Sequence, residues 1–333
     1  MKYAVIGLGA VGSIVGGLLI KSGEDVVLIG KKNQIDILNQ NGIKINGIKG
    51  SILVKNVNAS FDLSSIKDVD IIIICVKSQD TQNLAKNLKK HIKKSAIILS
   101  LQNGVRNSNI LNQITGNKTL SGIVLFNALY SKPGEVMITI RGGLLIEDEK
   151  SYSEAIDGLL NSFKMVGLSS KSTENLQGYQ WSKLIVNLQN AVTALTGQTI
   201  KESILDSDSR SILIATMKEG LHVLEKSKIS IKTLYDMDPK KIINRLSFYN
   251  NILLKIGSKI MRLKDARTSM WQSLSRGKRT EIDYINGEIV NLARKNNLKA
   301  PINEKLVEVV KEAEKKHLTK SYDPSELKKF LKI

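Results

Sequence analysis

The chain has 333 residues, 42% of them hydrophobic, enough for two domains with substantial cores. Its single cysteine, Cys75, excludes an intrachain disulfide and suits a reducing compartment. Lys plus Arg number 50 against 31 acidic residues, and the net +19 favours phosphates and acidic ligands; with aromatics at 5% and lysines spread along the chain, no stacking platform for nucleic acid is expected.

The chain opens with an apolar run, Tyr3 to Ile6, that enters Gly7-Leu8-Gly9-Ala10-Val11-Gly12. A helical run to Ser22 and a second apolar run, Val26 to Ile29, complete a strand–glycine turn–helix–strand unit. This is the order that a dinucleotide-binding βαβ unit requires. Gly7 allows the tight turn, Gly9 lets a pyrophosphate approach the backbone, and Gly12 lets helix and strand pack closely. The helix N-terminus offers N–H groups and a positive dipole end to the phosphates. Residues 3–20 carry no charge and lie between Lys2 and Lys21, as in a leader or a membrane span, but five of them are glycine. The strand-length run that follows continues the nucleotide-binding pattern, so a soluble, cytoplasmic protein is expected.

Lys31 and Lys32 follow the second strand, and no carboxylate does. A basic residue there accommodates the 2′-phosphate of NADP. Gln34 to Asn41 reads as a short helix closed by Gly42, and Ile43–Ile45 and Ser51–Val54 as strands around a glycine-containing turn. The continuous apolar run Val69 to Val76 predicts a strand buried on both faces of a parallel sheet. Lys77 lies just past its carboxyl end, where doubly wound sheets bind ligands. A helix is expected over Gln79–Lys90 and a buried strand over Ala96–Leu101, followed by Gln102-Asn103-Gly104. Asn103 suits either turn chemistry or a binding role. Strands are expected at Leu120–Phe126, Glu135–Ile140 and Gly143–Ile146, with Pro133-Gly134 as a hairpin turn. A helix over Tyr152–Lys164 and a short strand over Leu168–Lys171 follow. From Glu174 onward helical patterns replace strands, which places a boundary near residue 172 and domains at 1–172 and 173–333.

In the second half, Trp181 to Ala194 reads as one largely apolar helix with Lys183, Asn187 and Asn190 on a single stripe. Such groups cost several kcal/mol to bury unless partnered, and a wet cleft or a solvated edge solves this. Ser269 and Ser273 share a helix face, Arg276 to Arg279 form a basic loop, and Thr280-Glu281-Ile282-Asp283 starts a new helix. Asp283 is read as pairing with that helix's N-terminal dipole. The charged stretch Lys311 to Ile333 reads as a surface helix and tail. With three histidines and no His/Cys cluster, no metal is expected.

These residues resemble the ketopantoate reductase (2-dehydropantoate 2-reductase) family across nearly the whole chain. The carriers are GLGAVG at 7–12, Lys77, Gln102-Asn103-Gly104, the Lys183–Asn187 pair, Asn190 before AVTALTG, and Thr280-Glu281-Ile282-Asp283-Tyr284-Ile285-Asn286-Gly287. The resemblance implies an α/β fold: a Rossmann-type dinucleotide-binding domain followed by an all-α domain. It also implies NADPH as donor and reduction of 2-dehydropantoate to pantoate for coenzyme A synthesis. Lys183 falls on the family's catalytic lysine and Glu281 on its substrate-binding glutamate. Asn103, Asn187 and Ser269 match other cleft residues, Asn190 joins the substrate set, and Lys31 matches the 2′-phosphate contact. Lys77 and Asn103 join Gly7, Leu8, Gly9, Ala10, Val11 and Gly12 as cofactor contacts. Two positions depart from the pattern: Asn187 and Asn190 are three residues apart instead of four, and Ser273 replaces an aspartate. A reductase of another 2-oxo acid, or a non-catalytic NADP-sensing protein, remains the alternative. The expected partner is a small 2-oxo acid, with neither nucleic acid nor membrane; a homodimer is left open.

Overall fold

A computed structural model describes residues 1–47, 50–233, 238–248, 267–316 and 322–333. The chain divides into two compact units, Met1–Leu176 and Gln177–Ile333. The division falls after Leu176, where 172 was expected, because the last strand of the first unit runs to Thr173.

The first unit is built on an eight-stranded sheet. Its strands in chain order are β1 (Lys2–Ile6), β2 (Asp25–Ile29), β5 (Asn58–Ser60), β6 (Ile71–Ile74), β7 (Ile97–Ser100), β8 (Thr119–Val124), β11 (Leu144–Glu147) and β12 (Ser170–Thr173). They are arranged β12-β11-β8-β7-β6-β1-β2-β5. Every neighbouring pair is parallel except β8 with β11. The apolar runs are continuous because both faces are covered. Val5, Ile71, Ile73, Ile97 and Leu99 face one core, which also takes Ile14, Leu18, Ile156 and Leu159. Ala4, Ile6, Ile72, Ile74 and Ile98 face the other, with Ala85, Leu88 and Leu111. Adjacent residues of one strand thus serve opposite cores, as the period of two demands.

The helices of this unit are α1 (Ala10–Lys21), α2 (Lys32–Asn41), α3 (Thr81–Leu88), α4 (Asn107–Thr115) and α5 (Ser153–Met165). A second sheet of four strands comprises β3 (Ile43–Gly47), β4 (Gly50–Val54), β9 (Asn127–Lys132) and β10 (Glu135–Ile140), ordered β4-β3-β10-β9. The turn expected between β3 and β4 falls on residues 48 and 49, outside the described residues. The Pro133-Gly134 hairpin joins β9 to β10, not the Leu120 strand to β10. β9 was not expected, since its half-covered, polar-mixed residues lack the alternation of a one-sided strand.

The second unit is helical throughout its described residues: α6 (Leu176–Asn187), α7 (Gln189–Thr196), α8 (Ile200–Leu205), α9 (Ser207–Lys226), α10 (Pro239–Phe248), α11 (Ser269–Leu274), α12 (Asn286–Lys295), α13 (Pro301–Lys316) and α14 (Pro324–Leu331). α9 packs against α7, α8, α10, α12, α13 and α14. Gly220 lets α9 approach α6 closely, since a Cβ there would meet Ile185 Cδ1 at 2.7 Å and Leu188 Cδ1 at 2.8 Å. The expected charged tail is in part a packed helix. Asp323 caps α14, accepting from Ser325 N at 3.1 Å, and Leu327 and Leu331 are buried one turn apart. Two apolar residues among lysines gave too short a stripe to read in sequence. No helix among the described residues is long and apolar enough to cross a membrane.

Candidate active site

In the first unit, β1 ends at the glycine turn. Gly7 has φ +100°, and a Cβ on it would meet Val76 N at 2.6 Å. Gly9 N donates to Gly7 O at 2.9 Å and Gly9 then heads α1. A Cβ on Gly12 would lie 2.1 Å from Gly7 O, so turn and helix touch there backbone to backbone. A Cβ on Gly9 would meet nothing within 4 Å. The α1 N-terminus has no side-chain cap and no acidic residue in its first turn. Open space, uncapped N–H groups and no negative charge are what a pyrophosphate needs, so these residues fit a dinucleotide.

Gln34, which the sequence reading passed over, ties this cradle together. Its Nε2 donates to Leu8 O at 3.1 Å and to the Tyr130 hydroxyl at 2.7 Å, and its Oε1 accepts from Lys31 N at 3.2 Å. The glycine turn, the start of α2 and β9 are thereby held in register. Lys31 caps α2 from just past β2 and is exposed. Lys32 Nζ sits 5.8 Å above the centre of the exposed Phe61 ring.

Lys77 and Asn103 follow β6 and β7, at the carboxyl edge of the sheet. A buried polar network sets the Asn103 backbone. Ser78 Oγ donates to Asn103 O at 2.9 Å and Asn107 Nδ2 to the same oxygen at 2.6 Å. Thr81 Oγ1 donates to Asn107 Oδ1 at 2.9 Å, and Gln102 Nε2 to Thr81 Oγ1 at 2.7 Å. Ser78, Thr81 and Asn107 lie at scattered positions in the sequence, so no local pattern could announce them.

In the second unit, the stripe expected over Lys183, Asn187 and Asn190 crosses Leu188, which keeps helical φ −56° and ψ −28° and donates its N–H to Leu184 O at 3.1 Å. α6 ends at Asn187 and α7 begins at Gln189, with Leu188 between them. The Leu188 carbonyl also accepts from Asn286 Nδ2 of α12 at 3.4 Å. Lys183 and Asn187 stay one turn apart on α6, and Asn190 sits in the first turn of α7, buried.

Glu281, 4% exposed, precedes the 3₁₀ turn Ile282–Tyr284. The helix expected to start at Thr280 is this short turn, and the α-helix begins at Asn286. Glu281 lies near enough to act electrostatically on Lys183, so the fold brings together two groups almost a hundred residues apart. Burial pushes the Lys183 ammonium down from 10.5 to about 8, and the Glu281 carboxylate opposes that fall. Asp283, expected to serve a helix dipole, instead pairs with Lys311 at 2.6 Å.

Ser269 opens α11, whose cap Thr268 contacts Thr193 of α7 through their hydroxyls at 2.9 Å. Ser269 is thereby fastened to the helix that carries Asn190. Ser273 Oγ donates back to Ser269 O at 3.1 Å within its own helix. The described geometry thus gathers Lys183, Asn187, Asn190, Ser269 and Glu281 onto packed elements of one unit. Lys31, Lys77, Asn103 and the glycine turn belong to the other.

Two family models match the chain: "Ketopantoate reductase PanE/ApbA" over residues 3–151 and its C-terminal counterpart over residues 175–314. A 2-dehydropantoate 2-reductase of Pyrococcus horikoshii is 34% identical over 317 residues, covering 94% of this chain and 98% of the relative. That of Aquifex aeolicus is 27% identical, covering 94% and 97%. The crystal structure of a PanE/ApbA family ketopantoate reductase from Ralstonia eutropha superposes with a TM-score of 0.83 at 30% identity, covering 95% and 99%. With both models placed in order along it and relatives matched almost end to end, the chain belongs to the PanE/ApbA ketopantoate reductase family, a family of dinucleotide-dependent oxidoreductases.

Proposed function

We propose that the protein reduces 2-dehydropantoate to pantoate with NADPH as donor. The observation that carries this reading is that buried Glu281 lies near enough to half-buried Lys183 to act on it electrostatically. Reduction of a 2-oxo acid needs a proton for the developing alkoxide, and an ammonium both polarises the ketone and gives that proton. Lys183 is assigned this role. Glu281 accepts hydrogen bonds from the substrate hydroxyl. Asn187 and Ser269 hold the carboxylate or orient Lys183, and Asn103 and Asn190 are assigned to substrate binding. The bound nicotinamide supplies the hydride. Residues 7–12 hold its pyrophosphate, Lys77 and Asn103 line the approach to it, and Lys31 meets the 2′-phosphate.

NADPH oxidation with a panel of 2-oxo acids tests the reading. Turnover is expected with 2-dehydropantoate, and far less with 2-oxoisovalerate, which leaves Glu281 without a hydroxyl. NADH is the poorer donor. Lys31→Ala should shrink the preference by about 1.5–3 kcal/mol, the worth of a charge-assisted contact, without abolishing turnover. Equal kcat/KM with NADPH and NADH in the unaltered protein would remove Lys31 from the site.

A second reading keeps the chemistry and changes the acid. Position 273 carries a serine, whose Oγ donates to Ser269 O, so it offers no carboxylate to a substrate hydroxyl. A better turnover of a different branched 2-oxo acid in the same panel would favour it.

A further inference from the structure

A three-residue 3₁₀ turn is a weak device for fixing a carboxylate. Yet Ile282–Tyr284 must hold Glu281, buried and in a defined relation to Lys183. Two side chains of α13 reach the turn on either side of Glu281. Glu314 Oε1 accepts from Thr280 N at 2.6 Å. Lys311 Nζ lies 2.6 Å from Asp283 Oδ1. Lys311 and Glu314 are three residues apart, hence on one face of their helix. Pro301, Ile302 and Asn303 begin that helix, and Glu219 of α9 fixes its start by accepting from Ile302 N at 3.0 Å and Asn303 N at 2.8 Å. α13 is therefore anchored independently of the turn it grips.

We infer that Lys311 and Glu314 form a two-pronged clamp that positions Glu281 against Lys183, and so sets substrate affinity from outside the site. Neither touches substrate; both are positioning residues. The prongs are unequal. The Lys311–Asp283 pair is half-exposed and screened by solvent, whereas Glu314 makes a charge-assisted bond to a backbone N–H. The functional consequence rests on the proposed role of Glu281.

The test joins kinetics to amide exchange. Glu314→Leu should raise KM for 2-dehydropantoate about tenfold, with a smaller change in kcat and none in KM for NADPH. Glu314→Gln keeps an acceptor oxygen without the charge and should recover part of that loss. Lys311→Met should raise KM about threefold or less, and Lys311→Arg should restore it. In a Glu281→Ala background, Glu314→Leu should add nothing, because there is no side-chain acceptor left to position. Exchange over residues 280–284 should quicken in Glu314→Leu and less in Glu314→Gln. Equal KM losses with and without Glu281, or failure of Glu314→Gln to rescue, would overturn the clamp. Unchanged exchange would overturn it too, whatever the activity. Should Glu314→Leu not fold, Lys311→Met carries the same comparison from a half-exposed position. If the unaltered protein does not turn over 2-dehydropantoate, the proposed function fails, and exchange still decides the clamp.

Discussion

Lys183→Ala should lower the rate of hydride transfer by about 10²–10⁴, the range set by loss of a positioned general acid. Burial, the larger influence, lowers the Lys183 pKa and Glu281 opposes that fall, so a thermal melt of the variant is read beside its rate. Affinity for NADPH should hold, because the glycine turn and Lys31 belong to the other unit. Lys183→Arg should not restore the rate, since a guanidinium barely gives up a proton. The same assignment fixes a pH limb. The acid form is the competent one, so kcat/KM should fall by one proton as pH rises through about 8, the value burial gives Lys183. Single-turnover hydride transfer at saturating NADPH and substrate is the measurement. A Lys183→Ala protein keeping more than roughly a tenth of the rate lies outside the general-acid range, and the assignment would be wrong.

The second large effect separates two glycines of one motif. Gly12→Ala puts a methyl 2.1 Å from Gly7 O, a backbone atom with no rotamer to yield. The turn must move, at a cost of about 3 kcal/mol or more, lowering Tm by roughly 6–12 °C in a unit of this size. Gly9→Ala puts its methyl where nothing lies within 4 Å, on a residue whose φ of −80° suits alanine. Its Tm should stay within about 2 °C of the unaltered protein. Its NADPH Kd should nevertheless rise at least about tenfold, because the methyl occupies the space assigned to the pyrophosphate. Thermal melts and NADPH titrations of both variants decide the matter. A destabilised Gly9→Ala, or a Gly9→Ala that binds NADPH normally, would move the phosphate site elsewhere.

Most of the strands of the first unit and its glycine turn were legible because they are local. The apolar run before Gly7, the helix to Lys21 and the run after it follow one another within thirty residues, and each glycine's role follows from its spacing. The buried strands announced themselves as continuous apolar runs, since a sheet covered on both faces leaves no polar alternation. α4 was missed because Asn107 to Thr115 is rich in asparagine, which competes with its own backbone; its apolar Ile110, Leu111 and Ile114 are too few to outweigh that.

What the sequence by itself determined is therefore the dinucleotide-binding half, the change to helices near Glu174, and the residue types, Lys183 and Glu281 among them, that suit reduction of a 2-oxo acid. What only the tertiary structure decided is how those types become a site. The Leu188 carbonyl takes a partner in Asn286, ninety-eight residues later. The Asn103 backbone is set by Ser78 and Asn107, and the Glu281 turn is gripped by Glu314. The physical reason is the same in each case. Period and propensity report on neighbours within a turn or a strand, whereas a buried polar group must find its partner wherever the folded chain supplies one. The depressed pKa of Lys183 belongs to that second class, because burial and the approach of Glu281 are properties of the packed helices.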